Sequence, residues 1–150
     1  MEAVAKLKTE KVSVVDLIEY ENNPRRNDKA VSAVLESIRK FGYVNPIIIN
    51  GENVILAGHT RTKALKQAGV ESVEVIRLSH LTEQEEKAFR IADNRVSDFS
   101  GWNGDLLENE MRQIGADDWK KFGFSDKQLK ALDDPAMCTC PKCGASFIRV

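Results

Sequence analysis

The chain has 150 residues, of which 42% are hydrophobic and 30% charged, with a formal net charge of −1. That length carries one domain with a proper core plus a small appendage, and the composition is that of an ordinary globular protein. A charge so close to zero excludes a general nucleic-acid coat, so any DNA contact has to come from a local basic patch. No apolar run approaches membrane-spanning length and "MEAVAKLKTEK" lacks an apolar signal core, so the expected location is the cytoplasm, with no membrane partner.

In chain order, residues 1–10 read as a flexible N-terminus. "KVSVVDLI" (11–18) alternates and is rich in β-branched residues, which predicts a strand, followed by the polar loop "EYENNPRRND". "KAVSAVLESIRKFG" places Val31, Val34, Leu35 and Ile38 on one helical face, with Asn27 or Asp28 to cap its start and Gly42 to close it. "NPIIIN" and "NVILA" read as paired short strands around an Asn50-Gly51 turn. A helix then runs from Gly58 to Gly69, and "SVEVIRL" (72–78) is a further strand. Thr82 and Glu85 stand at capping-box spacing, opening a long helix expected to reach about residue 92.

Beyond Phe99 the pattern is only helical: "GDLLENEMRQIG" and, after a second capping box at Ser125 and Gln128, "SDKQLKALDD". Strands separated by single helices predict an α+β fold, a small mixed sheet with flanking helices and a C-terminal helical extension. The expected boundaries are a core domain at 11–98, the extension at 99–134 and a cysteine-bearing tail at 135–150.

The stretch "VILAGHTRTKAL" (54–65) concentrates the polar chemistry. A strand ends at Gly58 and a helix begins with His59, Thr60, Arg61, Thr62 and Lys63. The first N–H groups of a helix lack internal partners and its dipole favours anions there. Gly58 lets a ligand come close to the backbone, and Arg61 can grip phosphate oxygens bidentately. The bland alternative is a solvated helix start with Arg61 paired to a surface carboxylate.

Three ordered blocks, "NPRRND…SIRKFGYVNPI", the Gly-x-x-Arg-x-x-Ala box of Gly58, Arg61 and Ala64, and the "ADNR" of Asp93, Asn94 and Arg95, resemble the N-terminal domain of ParB-type partition proteins. That superfamily also holds sulfiredoxin and ParB-like nuclease domains, and the resemblance spans about residues 11 to 98. It implies binding of a nucleoside triphosphate, CTP or ATP, with Mg²⁺. By position, Gly58, His59, Thr60, Arg61 and Thr62 would contact phosphates, and Arg25 or Arg26 would approach the nucleotide together with Asn94 and Arg95. Asp93 and Asn94 would serve Mg²⁺, whose hard character suits a carboxylate and an amide oxygen. Asp93 and His59 are the candidate catalytic groups. The alternative for Asp93 and Asn94 is that they simply end the preceding helix.

Sulfiredoxins carry a catalytic cysteine where this chain has His59. Without that thiol no sulfinyl-phosphate intermediate forms, so sulfinic-acid reduction is excluded. Relatives with a related histidine-bearing box include ATP- or ADP-using enzymes, among them a free-serine kinase, which gives His59 a phosphate-binding or acid/base part. His80, between a strand and a helix, reads as structural or exposed.

The stretch from "IADNRV" to "FGFSDKQL" is similar to the ParB-like module of phages and prophages, which often precedes a DNA methyltransferase. Residues 99–134 are too few for both a helix-turn-helix reader and a dimerisation domain, and neither a methyltransferase motif nor a Gly-x-x-x-x-Gly-Lys phosphate loop occurs. DNA, a DNA-modifying partner and a second copy of the chain are the expected partners. A DNA nuclease is a competing reading, with Arg25, Arg26, Lys29, Arg39 and Lys63 tracking a backbone. Against it, Asp93 has no carboxylate companion in the second block. A small-molecule kinase and a non-catalytic adaptor are further readings.

All three cysteines lie close together near the C-terminus, which favours metal ligation over a disulfide framework. "CTCPKCG" contains Cys140-Pro-Lys-Cys143-Gly, half of a zinc ribbon, and Cys138 can supply a third ligand to Zn²⁺. A fourth would have to come from His80 or a second chain. The alternative is a tail of reduced thiols.

Overall fold

The computed structural model describes residues 8–25, 28–99, 101–114, 119–125, 137–139 and 146–148. It divides into two compact units, Met1–Gly101 and Trp102–Val150.

The first unit is built on four strands, β1 (Thr9–Ser13), β2 (Ile47–Ile49), β3 (Ile55–Ala57) and β4 (Ser72–Arg77), in the order β1-β4-β2-β3. β4 pairs antiparallel with β1 and parallel with β2, and β2 pairs antiparallel with β3, so the sheet is mixed. Three helices flank it: α1 (Val31–Phe41), α2 (His59–Gln67) and α3 (Glu83–Asp98). Ile47, Ile49, Ile55 and Val75 are fully buried and pack with Val14, Leu17, Leu65 and Val73 into one core. These are the β-branched positions of the strands, the inward positions of the turn after β1, and one inward position of α2, so burial of apolar area is what holds the sheet.

Several local expectations are corrected. The first strand ends at Ser13, not residue 18, because its partner begins at Ser72: Ser13 is the last paired residue. Val14–Asp16 instead forms a 3₁₀ turn, its Val14 N–H donating to the Glu71 carbonyl. Asp28 does not cap α1 with its side chain. A 3₁₀ turn, Asp28–Ala30, intervenes, and the Asp28 carboxylate takes the Lys63 ammonium at 2.7 Å. Asn27 lies outside the described residues. Gly42 does close α1, at φ 84°, its N–H donating to Ile38 O.

The β2–β3 connection is longer than a two-residue Asn-Gly turn. Asn50 Oδ1 accepts from the N–H groups of Glu52 and Val54, and Asn53 rather than Gly51 takes the positive φ, 65°. The side chain of Asn50 thus closes the turn together with the backbone bond from Asn50 N–H to Val54 O.

α3 has the expected capping box between Thr82 and Glu85, and it continues to Asp98. The "ADNR" element therefore lies inside a helix and does not end one. No glycine or proline interrupts the run, and Asn94, a residue often found at helix ends, bonds its side-chain amide back to Arg90 O at 2.7 Å.

In the second unit α4 (Gly104–Ile114) is capped by Asn103, whose Oδ1 accepts from Leu106 N–H, and buries Met111. Trp119 packs edge-on against Phe122 and Phe124. Part of the tail is paired: β5 (Met137–Thr139) runs antiparallel to β6 (Ser146–Ile148), with Cys138 opposite Phe147. The expected helix over 125–134, the Ser125–Gln128 capping box as a pair, Cys140 and Cys143 lie outside the described residues, so the zinc expectation does as well. Among the described residues no helix is long and apolar enough to cross a membrane.

Candidate functional site

Everything that converges on the site does so because β3 gives way at once to Gly58, the residue that opens α2. That residue has φ 103°, in the left-handed region, and a side chain there would bring its Cβ to 3.1 Å from Ile47 Cγ1. Only glycine meets both demands, a positive φ and a tight approach to β2. The turn it makes starts α2 at once. The first intrahelical bond runs from Thr62 N–H to Gly58 O, leaving the N–H groups of His59, Thr60 and Arg61 at the helix start.

A cleft of about 250 Å³ opens at this point. Gly58, His59, Thr60 and Arg61 from the α2 start line one side; Arg25 from the loop after β1, and Asp93 and Asn94 from α3, line the other. The three blocks picked out in the sequence therefore meet in space, although up to 69 residues separate Arg25 from its partner Asn94.

The side chains are already braced. Arg61 Nη1 donates to the carbonyls of Asn45 and Pro46, at 2.6 and 2.8 Å, so it pairs with backbone and not with a surface carboxylate. Fixing one nitrogen this way orients the rest of the guanidinium fork. Arg25 Nη1 reaches both the backbone and side-chain oxygens of Asn94, at 3.1 and 3.2 Å.

His59 is 9% exposed and its Nε2 has no hydrogen-bond partner. Burial pushes its pKa down; the carboxylate of Glu19 opposes this, and the charges of Arg90 and Lys63 add to it. The ring is therefore neutral at pH 7.

Thr62 is placed differently from its neighbours. It has no exposed surface, and its hydroxyl donates to Gly58 O at 3.3 Å, so the helical period places it on the inner face, away from the cleft. Lys63 sits instead on a second cavity of about 390 Å³, with Glu19, Tyr20, Glu21 and Asp28; His59, Asn23 and Arg25 line both cavities. Its ion pair with Asp28 raises the Lys63 pKa and lowers that of Asp28. Arg95 stacks on Phe99, with the guanidinium 4.5 Å from the ring centroid, and lines a third, apolar cleft beside Pro24 and Ile91.

The remaining basic residues are dispersed. Lys29 precedes α1 while Arg39 lies in its last turn, about 15 Å further along the axis, and is paired with Glu36 at 2.8 Å. Arg26 lies outside the described residues. His80 is exposed. No group of three or more His, Cys, Asp or Glu side chains able to hold a metal occurs among the described residues.

Sequence reasoning missed one network. Arg90, 6% exposed, pairs with Glu86 at 3.1 Å and lies 3.9 Å from the centroid of Tyr20. The i, i+4 spacing of Glu86 and Arg90 was a visible signal, but it reads as a surface pair unless the helix face is known.

Residues 1–95 match the ParB N-terminal domain family. The ParB-like nuclease domain-containing protein YnaK of Escherichia coli is 36% identical over 85 residues, covering 53% of this chain and 98% of that protein. The probable plasmid-partitioning protein ParB of Thermus thermophilus is 31% identical over 83 residues, 53% of this chain but 28% of that protein. Among solved structures, the C-terminally truncated chromosome-partitioning protein ParB from Caulobacter crescentus, complexed with CTP-γ-S, superposes with a TM-score of 0.61. It covers 83% of this chain and 70% of that one at 20% identity, a likeness of fold. The pNOB8-like ParB N-domain gives a TM-score of 0.52 at 17% identity, covering 95% of this chain and 57% of that one. The mixed four-stranded sheet, its flanking helices and the match over residues 1–95 place the chain in the ParB N-terminal domain family.

Proposed function

We propose that the chain binds a nucleoside triphosphate, with its phosphates in the cleft at the start of α2. The observation that carries this reading is the convergence of the Gly58–Arg61 helix start, Arg25 and the Asp93–Asn94 turn of α3 on one cavity. Unpaired helix-start N–H groups and two guanidinium groups suit a polyphosphate, and a relative of the same fold is complexed with CTP-γ-S. The cleft does not cage a cation by itself. Mg²⁺ brought in on the phosphates would find the Asp93 carboxylate there, and Asn94 Oδ1 only once Arg25 releases it.

In this reading Arg61 and the helix start offset the phosphate charge, Thr60 adds a hydroxyl donor, and neutral His59 stands at the inner wall as a hydrogen-bonding group. Phosphoryl transfer needs chiefly such positioning and charge stabilisation, so hydrolysis of the nucleotide is within the site's reach. The likeness to partition proteins supports a role in DNA-associated functions, such as partition, DNA modification or transcriptional regulation. The test is calorimetric titration of CTP, ATP, ADP and GTP with Mg²⁺ into wild type and Arg61→Ala, followed by phosphate release with and without DNA. Wild-type binding of a triphosphate that Arg61→Ala weakens supports the proposal; absence of affinity for every nucleotide overturns it.

A nuclease is the second reading, favoured by the likeness to a ParB-like nuclease domain-containing protein. It ranks lower because Asp93 has no carboxylate cluster around it among the described residues. Degradation of plasmid DNA without nucleotide, abolished in Asp93→Ala, would establish it.

A further inference from the structure

The cleft is lined by groups that are themselves held from behind. Asn94 Nδ2 donates to the backbone carbonyl of Arg90, and the Arg90 side chain turns inward from the same turn of α3. There its Nε donates to Ile55 O on β3, its Nη2 meets Glu86 Oε2 at 3.1 Å, and its plane lies over Tyr20. Glu86 Oε1 in turn accepts from Asn50 Nδ2, whose Oδ1 shapes the β2–β3 turn. The chain of contacts runs from that turn, through a buried ion pair, to Asn94 at the cleft and to Tyr20 on the wall of the neighbouring cavity. Arg90 itself lines neither cavity.

A buried ion pair is a poor way to gain stability, since apolar residues of similar volume often serve as well or better. Its use here lies in geometry: a planar, doubly bonded guanidinium fixes the rotation of α3 about its axis more tightly than a hydrocarbon would.

We propose that Arg90, locked by Glu86, is a positioning residue of the nucleotide site, setting Asn94 and Tyr20 relative to the α2 start without touching the ligand. This rests on the reading of the cleft as a nucleotide site. Three charged groups bear on His59, which faces both cavities: Glu19 from the segment after β1, Lys63 from α2, and Arg90 from α3. Removing Arg90 therefore shifts the His59 titration upward; exposure of the ring would act in the same direction, and Arg90→Lys, which keeps the charge but loses the contact, tells the two apart.

The experiment uses the full chain with the paired substitution Arg90→Met/Glu86→Gln, which leaves no unpaired charge in the interior. Binding of CTP–Mg²⁺ and ATP–Mg²⁺ is measured by calorimetry. The Asn94 side-chain amide and the His59 ring are followed by NMR in the absence of nucleotide. Affinity falling by about tenfold or more, with the Asn94 amide displaced and the His59 midpoint raised, is the expected result. Unchanged affinity, or an unmoved Asn94 amide, overturns the proposal. Arg90→Lys keeps the charge but not the planar contact with Tyr20. It should leave the His59 midpoint near wild type while still weakening nucleotide binding, and it carries the test if the paired variant fails to fold. If the wild type binds no nucleotide, the proposed function falls; the positioning role is then judged on the NMR signals alone, and unmoved Asn94 and His59 signals overturn it.

Discussion

Arg61 braces the segment before β2 and also points into the cleft, so its loss has two separable effects. Arg61→Ala removes two bonds to the carbonyls of Asn45 and Pro46 and is expected to lower stability by about 1 kcal/mol in urea titrations. It should lower nucleotide affinity more steeply, by about tenfold, because a charged donor to phosphate is lost as well. Gly58→Ala places a Cβ 3.1 Å from Ile47 Cγ1 at φ 103°. A cost of about 1–3 kcal/mol is expected, visible as a lowered Tm, and binding should weaken as the turn shifts. A stability equal to wild type would mean that β2 yields and the turn is less constrained than it looks. Thr62→Val removes only an inward hydroxyl and should leave nucleotide affinity unchanged in the same titrations.

At the level of elements, the capping box at the start of α3 holds the helix that brings Asp93 and Asn94 to the cleft. Thr82→Ala should destabilise by about 1 kcal/mol, read by denaturant unfolding, with a smaller effect on binding because Arg90 anchors the helix further along. The elements themselves were legible in the sequence. β-branched runs, the capping box and the apolar face of α1 each predict what is found, and the mixed sheet follows from their order. The box around Gly58 was legible for the same reason, since local spacing encodes a helix start. What was not legible depends on partners distant in sequence. β1 stops where β4 stops pairing, and Asp28 prefers Lys63 to the helix it precedes. Thr62 looked like a phosphate contact because of its neighbours in the sequence, but the helical period turns it inward. Arg90 looked like a surface cation because only the fold places Ile55, Tyr20 and Glu86 around it.

For the molecule as a whole, the burial of His59 sets a pH dependence. Its folded pKa lies below the ordinary value of about 6.5. The unfolded chain therefore binds a proton that the folded one resists. This contribution is fully present above pH of about 6.5 and is lost as pH falls below it. Glu83 and Glu85 have lowered pKa values, from the Lys87 pair and the Thr82 cap respectively, so their contributions disappear only further into the acid range. Urea midpoints should be level between pH 7 and 8 and lower at pH 5, and His59→Gln should reduce the step between the two regimes. A midpoint independent of pH across this range in the wild type would contradict the burial of a neutral imidazole.

The position of β4 has a consequence for how the protein is made. It lies inside the sheet, between β1 and β2, yet it is the last of those four strands in the chain. On the ribosome β1 emerges first and has no partner until residues 72–77 follow. The β2–β3 pair and the Gly58 turn meanwhile exist without the strand that closes the core over Ile47. A nascent chain arrested before residue 72 exposes two unpaired strand edges, whereas one arrested after α3 has emerged can close the sheet, so the cleft should appear abruptly as synthesis passes β4 and α3.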